Sequence, residues 1–298
     1  MGLLPDLDEL VVLRGAARDL EMRIRQPAAS QLQGAHRSAH RGRGLEFDEV
    51  RVYAPGDDAR TIDWRVTARR GRPHTKLFRE ERERQVWLLA DLHPGLYFGS
   101  RRQLKSAQLL RAAAWLAWVA VDAGDRLGGI ITHGSSAPEA LPPRSRDIGA
   151  LELLQALVQN QPRAPGPMAS GALGKALTTL RPLLRPGSSV VVLSDFSDFD
   201  DAGESALVAL SMRAECRVVW LTDPLERQGL PAGAYRVGVP GRLWSLDGAA
   251  SRGDWSAAWA ERERRVDSLC LSRRLPLLRL DTGDDLAQRM PAFISESR

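Results

Sequence analysis

The chain has 298 residues, 43% of them hydrophobic and 27% charged, and carries a formal net charge of +5. These values exclude a largely disordered chain and leave room for one large α/β domain with an appendage, or for two modest domains. The charge is uneven, because residues 35–79 hold eleven Arg or Lys residues against six Asp or Glu residues. This excess indicates either an anionic partner, such as nucleic acid, or an Arg-rich surface with solvated guanidinium groups.

The first part of the chain predicts one amphipathic helix and a loop. Between residues 5 and 25, apolar side chains recur at three- and four-residue steps, which is typical of a helix with one apolar face. Residues 26–44 have few apolar side chains and predict an exposed basic loop. The most apolar later segment, residues 107–121, is shorter than the roughly 20 residues that a membrane span needs, so it is predicted to be a core helix.

Residues 46–69 are dense in charged side chains. Residues 50–53 alternate like a strand, residues 55–58 (Pro-Gly-Asp-Asp) predict a turn, and residues 62–64 (Ile-Asp-Trp) begin another short element. Single buried charges are costly, so these arginines and aspartates are expected to form hydrogen-bonded networks that fix the loops. The segment shows no nucleophile and base at the spacing of a catalytic pair.

Two short apolar runs, residues 86–90 and 190–193, predict the central strands. Neither run alternates, which indicates burial on both faces within a parallel sheet. Asp91 follows the first run, and Asp195 follows the second after one serine. Ligands of open α/β sheets bind beyond the carboxyl ends of the strands, so both aspartates are expected at a functional edge.

Helix and strand patterns alternate through the rest of the chain, which predicts a doubly wound, mainly parallel α/β sheet. We expect residues 1–80 to form a small N-terminal α+β appendage and residues 81–298 to form the α/β domain. Cys216 and Cys270 lie in apolar surroundings and have no nearby cysteine partner. They are expected to be buried, reduced thiols of a cytoplasmic protein.

The pattern R-x-Y-x-P-G-D-D-x-R-x-I-D-W-x-x-x-A-R, from Arg51 to Arg69, resembles the signature of the DUF58 family. Residues 124–128 (GDRLG), 194–196 (SDF) and 222–226 (TDPLE) are similar to later elements of that family. The resemblance covers nearly the whole chain. It implies a von Willebrand factor A-like, Rossmann-like domain in a protein often encoded beside a MoxR-type AAA+ ATPase and thought to work with it.

The same resemblance implies a Mg²⁺ site made of a D-x-S-x-S turn, a threonine on a later loop and a later aspartate. A hard cation needs several oxygen ligands in near-octahedral order. Asp91 and Asp195 match the two aspartates, but His93 and Gly95 stand at the hydroxyl positions and Ala172 at the threonine position. We therefore expect a degenerate metal site, without Mg²⁺ or another cofactor.

Two alternatives for this site remain open. Asp91, His93 and Asp195 supply three ligands for a softer metal such as Zn²⁺, whereas a closed zinc site usually has four; a turn histidine bonded to a carboxylate also explains His93. The two aspartates could instead serve as an acid–base pair, but no nucleophile or cofactor motif accompanies them.

The predicted function is a non-enzymatic protein-interaction module, an adaptor or co-chaperone acting with a MoxR-type AAA+ ATPase. The 51–69 motif is the predicted partner surface, since Arg and Trp dominate interface energetics, unless it only locks the appendage onto the sheet. Its candidate residues are Arg51, Tyr53, Asp57, Asp58, Arg60, Asp63, Trp64 and Arg69. The alternatives are a nucleic-acid-binding protein that uses residues 35–79 and a metal-dependent hydrolase.

Overall fold

The computed structural model describes residues 3–25, 45–54, 57–80, 84–133, 137–166, 168–239 and 242–295. The predicted basic loop of residues 26–44 and the first two residues of the predicted turn at 55–58 lie outside this part of the chain. The chain divides into two compact units. The larger unit comprises Met1–Pro27 with Arg84–Arg298, and the smaller unit comprises Ala28–Glu83.

Strands and helices alternate along most of the chain. The strands are β1 (Leu45–Val52), β2 (His74–Glu80), β3 (Gln85–Leu92), β4 (Arg126–His133), β5 (Glu139–Ser145), β6 (Ser189–Ser194), β7 (Glu215–Thr222), β8 (Ala234–Val239), β9 (Arg242–Asp247) and β10 (Leu277–Asp281). The helices are α1 (Leu7–Arg25), α2 (Trp64–Arg70), α3 (Lys105–Asp122), α4 (Arg146–Asn160), α5 (Ala172–Leu180), α6 (Asp201–Ser211), α7 (Pro224–Gln228), α8 (Arg252–Arg273) and α9 (Leu286–Ser295).

A six-stranded sheet in the order β10-β7-β6-β3-β4-β5 forms the centre of the larger unit. β5 pairs antiparallel with β4, and the other neighbours pair in parallel. Every residue of β3 and β6 is buried, which explains why neither run alternates. β3 pairs with β6 from Val86 opposite Ser189 to Ala90 opposite Leu193. The prediction of a doubly wound, mainly parallel sheet with these two strands at its centre is confirmed.

Buried hydrophobic side chains form one cluster on each face of this sheet. Leu88 and Ala90 of β3 belong to a cluster with side chains of α1, α3, α4 and α9. Trp87 and Leu89 belong to a second cluster, with side chains of α5, α6 and α8. Successive residues of a strand point to opposite faces, so the two clusters lie on opposite sides of β3.

Helix α1 packs against α3 in the larger unit. Leu10 is fully buried and accepts a hydrogen bond of 3.0 Å from Trp118 Nε1, and Arg14 forms an ion pair of 2.8 Å with Asp122. The predicted boundary grouped α1 with the rest of residues 1–80, whereas the contacts group it with the α/β unit. The reason is that α3 is buried almost all round, and the apolar face of α1 supplies part of that cover.

In the smaller unit, β1 and β2 pair antiparallel, and α2 lies between them in sequence. Asp63 caps the start of α2, because its side chain accepts hydrogen bonds from the backbone N–H groups of Arg65 and Val66 at 3.0 and 3.1 Å. Gly71 ends the helix with a φ angle of 70°, a conformation that glycine adopts without strain.

Two elements of the larger unit are absent from the predicted pattern. β8 and β9 form a hairpin that leaves Val237, Leu243 and Trp244 exposed. β5 is the outer strand of the sheet and contains Pro142 and Pro143, which a sequence pattern reads as evidence against a strand. None of the described helices is both long enough and apolar enough to cross a membrane.

Candidate functional site

The carboxyl ends of β3 and β6 bring Asp91 and Asp195 to one edge of the sheet. Asp91 is the next-to-last residue of β3, and Asp195 directly follows β6. Because the two strands are adjacent and parallel, both side chains lie at the edge where open α/β sheets bind ligands. Each aspartate is only 2% exposed, so their partners within the protein decide what this edge can do.

Asp91 is held by hydroxyl groups from the two neighbouring strands. Thr132 Oγ1 donates to Asp91 Oδ1 at 2.8 Å, and Ser194 Oγ donates to Asp91 Oδ2 at 2.6 Å. Burial raises the pKa of Asp91, and the hydrogen bonds from Ser194 and Thr132 oppose the rise only in part. Both carboxyl oxygens are therefore engaged by groups of the same chain.

Asp195 is the centre of a buried cluster of charged and polar groups. Its Oδ2 atom accepts a hydrogen bond from Lys105 Nζ at 2.6 Å. Its Oδ1 atom accepts hydrogen bonds from His93 Nε2 at 3.1 Å and from Ser197 Oγ at 2.6 Å. Burial alone would raise the pKa of Asp195, but the Lys105 charge and the His93 hydrogen bond outweigh it and hold the pKa well below its usual range.

Lys105 is the first residue of α3 and is 2% exposed. Its Nζ atom lies 2.6 Å from Asp195 Oδ2 and 2.6 Å from Glu226 Oε1. The helix dipole disfavours a cation at this end of a helix, and burial lowers the pKa of Lys105. The two carboxylates outweigh burial and raise the pKa of Lys105 overall. Burial raises the pKa of Glu226 more than Lys105 lowers it, so the firmer ion pair is that of Lys105 with Asp195.

His93 is a buried turn residue whose two ring nitrogens both have partners. Nδ1 accepts a hydrogen bond from the backbone N–H of Gly95 at 3.2 Å, and Nε2 donates to Asp195. Burial lowers the pKa of His93 and Asp195 raises it, with a net rise, whereas protonation of Nδ1 would break the bond from Gly95. We assign the neutral ring with its proton on Nε2, which leaves neither nitrogen free to bind a metal or to act as a base.

Asp223 ties the loop before α3 to this same edge of the sheet. It follows β7 and accepts hydrogen bonds from the backbone N–H of Ser100 at 2.7 Å and from the hydroxyl groups of Ser100 and Thr282. Lys105 lies five residues after Ser100, and Glu226 lies three residues after Asp223. The hydrogen bonds of Asp223 therefore fix both chain segments that deliver the Lys105–Glu226 pair.

The positions that would supply hydroxyl ligands to Mg²⁺ lack them. Ala172 has no side-chain oxygen, and its backbone N–H donates to Asp198 at 2.9 Å. A Cβ atom on Gly95 would lie 2.6 Å from Met168 Sδ and 2.9 Å from the ring of His93, so a serine there requires both side chains to shift. The surroundings of Gly95 are therefore packed around a residue without a side chain.

The residues that remain do not fit a Mg²⁺ site either. Mg²⁺ takes about six oxygen ligands at about 2.0–2.1 Å, whereas both oxygens of Asp195 are bound by an ammonium group, a ring N–H and a hydroxyl group. Within the described residues, no group of three or more His, Cys, Asp or Glu side chains is arranged to hold a metal ion. The ammonium group of Lys105 supplies the positive charge of this cluster instead.

In the smaller unit, the acidic residues of the 51–69 motif hold its turns. Asp57 forms an ion pair of 2.6 Å with Arg51, and its backbone oxygen accepts a hydrogen bond of 3.0 Å from Tyr53 OH. A backbone N–H bonded to the Asp57 carboxylate, together with Arg51, lowers the pKa of Asp57. Asp58 caps a short turn of 3₁₀ helix as Asp63 caps α2. These five candidate residues form a hydrogen-bonded frame.

The other three candidate residues of the motif are exposed. The side chain of Trp64 is 70% exposed at the start of α2, and Arg60 and Arg69 are also exposed. The motif separates into a frame that fixes the backbone and a surface that offers one aromatic and two guanidinium side chains.

Lys105 and Glu226 were not among the residues that the sequence pattern singled out. One signal points to the lysine: the 42 Lys and Arg residues of the chain include only three lysines, Lys76, Lys105 and Lys175. In a chain that otherwise uses arginine, a lysine at the start of an apolar helix is a candidate for a specific partner. Glu226 is the last residue of the TDPLE segment at 222–226, so its signal is the resemblance of that segment to the DUF58 family.

The six-stranded, mainly parallel sheet, with helices on both faces and aspartates at the carboxyl ends of its two central strands, places the chain in the doubly wound α/β class. The model of the family described as "Protein of unknown function DUF58" matches residues 49–252. The chain belongs to this DUF58 family.

Relatives at the level of sequence are uncharacterized proteins of mycobacteria. The chain is 31% identical over 291 residues to "Uncharacterized protein Rv1480" of Mycobacterium tuberculosis, an alignment that spans 96% of this chain and 90% of that protein. The same values hold for "Uncharacterized protein Mb1516" of Mycobacterium bovis.

Two solved structures show similarity at low sequence identity. One is the conserved hypothetical protein BatB from Bacteroides thetaiotaomicron, with a TM-score of 0.45, 15% identity, and coverage of 72% of this chain and 98% of that chain. The other is a von Willebrand factor type A protein from Catenulispora acidiphila, with a TM-score of 0.36, 11% identity, and coverage of 75% of this chain and 42% of that chain.

Proposed function

We propose that this DUF58 protein is a non-enzymatic interaction module, an adaptor or co-chaperone that acts with a MoxR-type AAA+ ATPase in the cytoplasm. The observation that carries the proposal is the exposed side chain of Trp64 on a rigidly held motif. The family resemblance supports the type of partner. The free, buried thiols of Cys216 and Cys270 are consistent with a reducing compartment.

The division of the 51–69 motif into frame and surface supports a role in binding. Five residues of the motif hold its backbone, so Arg60, Trp64 and Arg69 project from a fixed support. Trp and Arg are the side chains enriched at the energetic centres of interfaces, and a fixed support reduces the entropy lost on binding. A tryptophan needed only for packing would be buried.

The cluster at the sheet edge supports the non-enzymatic part of the proposal. Both oxygens of Asp91 accept hydroxyl hydrogen bonds, and both ring nitrogens of His93 have partners. Asp195 is paired with Lys105. General acid–base or nucleophilic catalysis needs a group with a free proton site near a substrate. We infer that the edge is a degenerate metal site that takes neither Mg²⁺ nor Zn²⁺.

Co-purification with the MoxR-type AAA+ ATPase of the same organism tests this proposal. Trp64→Ala and Arg60→Ala should each reduce ATPase binding by about thirtyfold or more, since truncated hot-spot residues cost about 2 kcal/mol or more. Their free energies of unfolding should stay within about 0.5 kcal/mol of the wild type, because the side chains are exposed.

Trp244→Ala is the matched control, because Trp244 is also an exposed tryptophan, 46% accessible, but lies in the β8–β9 hairpin. This variant should keep wild-type ATPase binding. Full ATPase binding by both Trp64→Ala and Arg60→Ala would overturn the assigned surface, and failure of the wild type to bind the ATPase would overturn the assigned partner.

The exposed arginines of α2 favour one second candidate, a nucleic-acid-binding protein. Arg65, Arg69 and Arg70 are exposed beside Trp64 on this helix, within the basic region of residues 35–79. Binding through phosphates releases counterions, so log K should fall with log salt at a slope of about −0.9 for each phosphate contacted. A salt titration of duplex DNA binding separates the candidates, since an adaptor for a protein should show no such steep dependence for DNA.

A further inference from the structure

We propose that Lys105 is a built-in cation that takes the place of a divalent metal ion at the sheet edge. Removing its side chain then creates a site for a divalent cation between Asp195 and Glu226. The inference rests on the degenerate site of the proposed function, and it does not depend on the ATPase partner.

The position of the ammonium group is the first argument. Lys105 Nζ lies 2.6 Å from an oxygen of Asp195 and 2.6 Å from an oxygen of Glu226, and its side chain is 2% exposed. Asp195 is the aspartate that follows a central strand, where the metal-binding aspartate of this type of domain is expected. A single group thus bridges the buried carboxylate of Asp195 and the half-buried carboxylate of Glu226, as a bound cation does in a metal site.

The choice of lysine is the second argument. The chain uses three lysines among its 42 Lys and Arg residues, and one of them stands here. An ammonium group is a compact point charge with three donors, whereas a guanidinium group is a wide planar fork. Two donors of Lys105 meet carboxylates, and the ring centroid of Phe98 lies 5.8 Å from Nζ.

The support of the lysine backbone is the third argument. The backbone N–H of Lys105 donates to Phe98 O at 2.7 Å, and Ser100 is tied to Asp223 by both its backbone and its hydroxyl group. The start of α3 is therefore held while the helix dipole opposes the charge there. The carboxylates of Asp195 and Glu226 stabilise the ammonium group at this otherwise unfavourable position.

A comparison of Lys105→Ala with Lys105→Met tests the inference. The alanine variant removes both charge and volume, so it should bind Mn²⁺ at least about tenfold more tightly than the wild type, with a melting temperature that rises with Mn²⁺. The methionine variant removes the charge but keeps the volume, so it should gain no Mn²⁺ binding. Lys175→Ala, at an exposed position of α5, should behave as the wild type does. Binding is read by calorimetry and Mn²⁺ spectroscopy.

Two results would overturn the inference in different ways. Folded Lys105→Ala without a gain in Mn²⁺ binding shows that Lys105 does not occupy a cation position, and leaves the degenerate site of the proposed function standing. Saturable Mn²⁺ or Mg²⁺ binding by the wild type at sub-millimolar concentration overturns both, whereas the partner proposal is decided separately by Trp64→Ala.

Amine labelling of the wild type decides the matter if Lys105→Ala does not fold. A buried, paired ammonium group should react with an acylating reagent at least about tenfold more slowly than the exposed Lys175 in the same protein, because reaction requires local opening. Peptide mass spectrometry measures both sites at once. Equal labelling of Lys105 and Lys175 would overturn the inference.

Discussion

Asp91 and Ser194 meet across two adjacent parallel strands, where Ser194 Oγ donates a hydrogen bond of 2.6 Å to Asp91 Oδ2. Thr132 completes the arrangement from the strand on the other side, with its Oγ1 atom 2.8 Å from Asp91 Oδ1. Three strands are thus joined by side chains as well as by their backbone ladder. The carboxylate is used within the sheet, and its loss should be measurable as a loss of stability.

Asp91→Ala should lower the free energy of unfolding by about 1–3 kcal/mol, because two buried hydroxyl groups lose their acceptor. Asp91→Asn keeps one acceptor oxygen and should cost less. Urea denaturation measures both. Asp254→Ala, at an exposed position of α8, is the control and should change the value by no more than about 0.5 kcal/mol. Equal effects of Asp91→Ala and Asp254→Ala would show that the hydrogen bonds to Asp91 do not stabilise the sheet.

Lys105→Met should be strongly destabilising, by about 3–5 kcal/mol, because it leaves the buried carboxylate of Asp195 and the half-buried carboxylate of Glu226 without a counter-charge. Adding Asp195→Asn removes one of the stranded charges, so the double variant should be more stable than the sum of the single effects predicts. A double-mutant cycle should give a coupling of about 0.5–3 kcal/mol. Strict additivity would show that the two groups do not interact in solution.

Asp63→Ala should destabilise the smaller unit by about 0.5–2 kcal/mol, the usual cost of losing a helix N-cap. Asp63→Asn and Asp63→Ser keep a cap acceptor and should restore most of the loss. Limited proteolysis of the wild type and variants, read at the peptide bonds of α2, measures the effect locally. Unchanged cleavage in Asp63→Ala would show that this aspartate does not stabilise the backbone of the motif.

Asp223 predicts a loss of stability in acid. Burial alone would raise its pKa, but hydrogen bonds from Ser100 and Thr282 outweigh burial and leave the pKa below the ordinary value of 3.8. Because the folded-state pKa is the lower one, the stabilisation is fully present above pH 3.8 and is lost as the pH falls through the folded-state value.

Ser100→Ala checks this, since it removes one donor to Asp223. The gap in free energy of unfolding between wild type and Ser100→Ala should be present at neutral pH and shrink as the pH falls below 3.8. Ser272→Ala is the control, because the Ser272 hydroxyl group donates to a backbone carbonyl and its effect should not depend on pH. A gap for Ser100→Ala that stays constant with pH would contradict the assignment.

The sheet was predictable because its central strands leave no ambiguity. β3 and β6 are short, largely apolar and buried on both faces, and the alternation of strands with helices indicates that they pair in parallel. β5 was not predicted, because Pro142 and Pro143 count against a strand unless the strand is known to lie at the edge of a sheet. The β8–β9 hairpin was not predicted, because its side chains are largely exposed. Without a buried face, its sequence shows no alternation of apolar and polar residues.

The site was predictable only where the chain places residues at or directly after the carboxyl ends of central strands, as it does for Asp91, His93 and Asp195. Lys105 and Glu226 come from elements 90 residues before and 31 residues after Asp195, and only the folded topology brings them together. The local sequence around Lys105 predicts a helix start, where a lysine is usually solvated. The exposure of Trp64 likewise depends on packing that local periodicity does not encode.

The two prolines of β5 also determine how this sheet ends. Pro142 and Pro143 lie where the pairing of β5 with β4 shifts register, and neither has a backbone N–H to offer to another strand. Unpaired edge strands are templates for aggregation, and prolines are among the devices that block them. A second molecule therefore meets no regular row of backbone N–H donors along β5. Edge-to-edge association of two sheets through this strand is disfavoured.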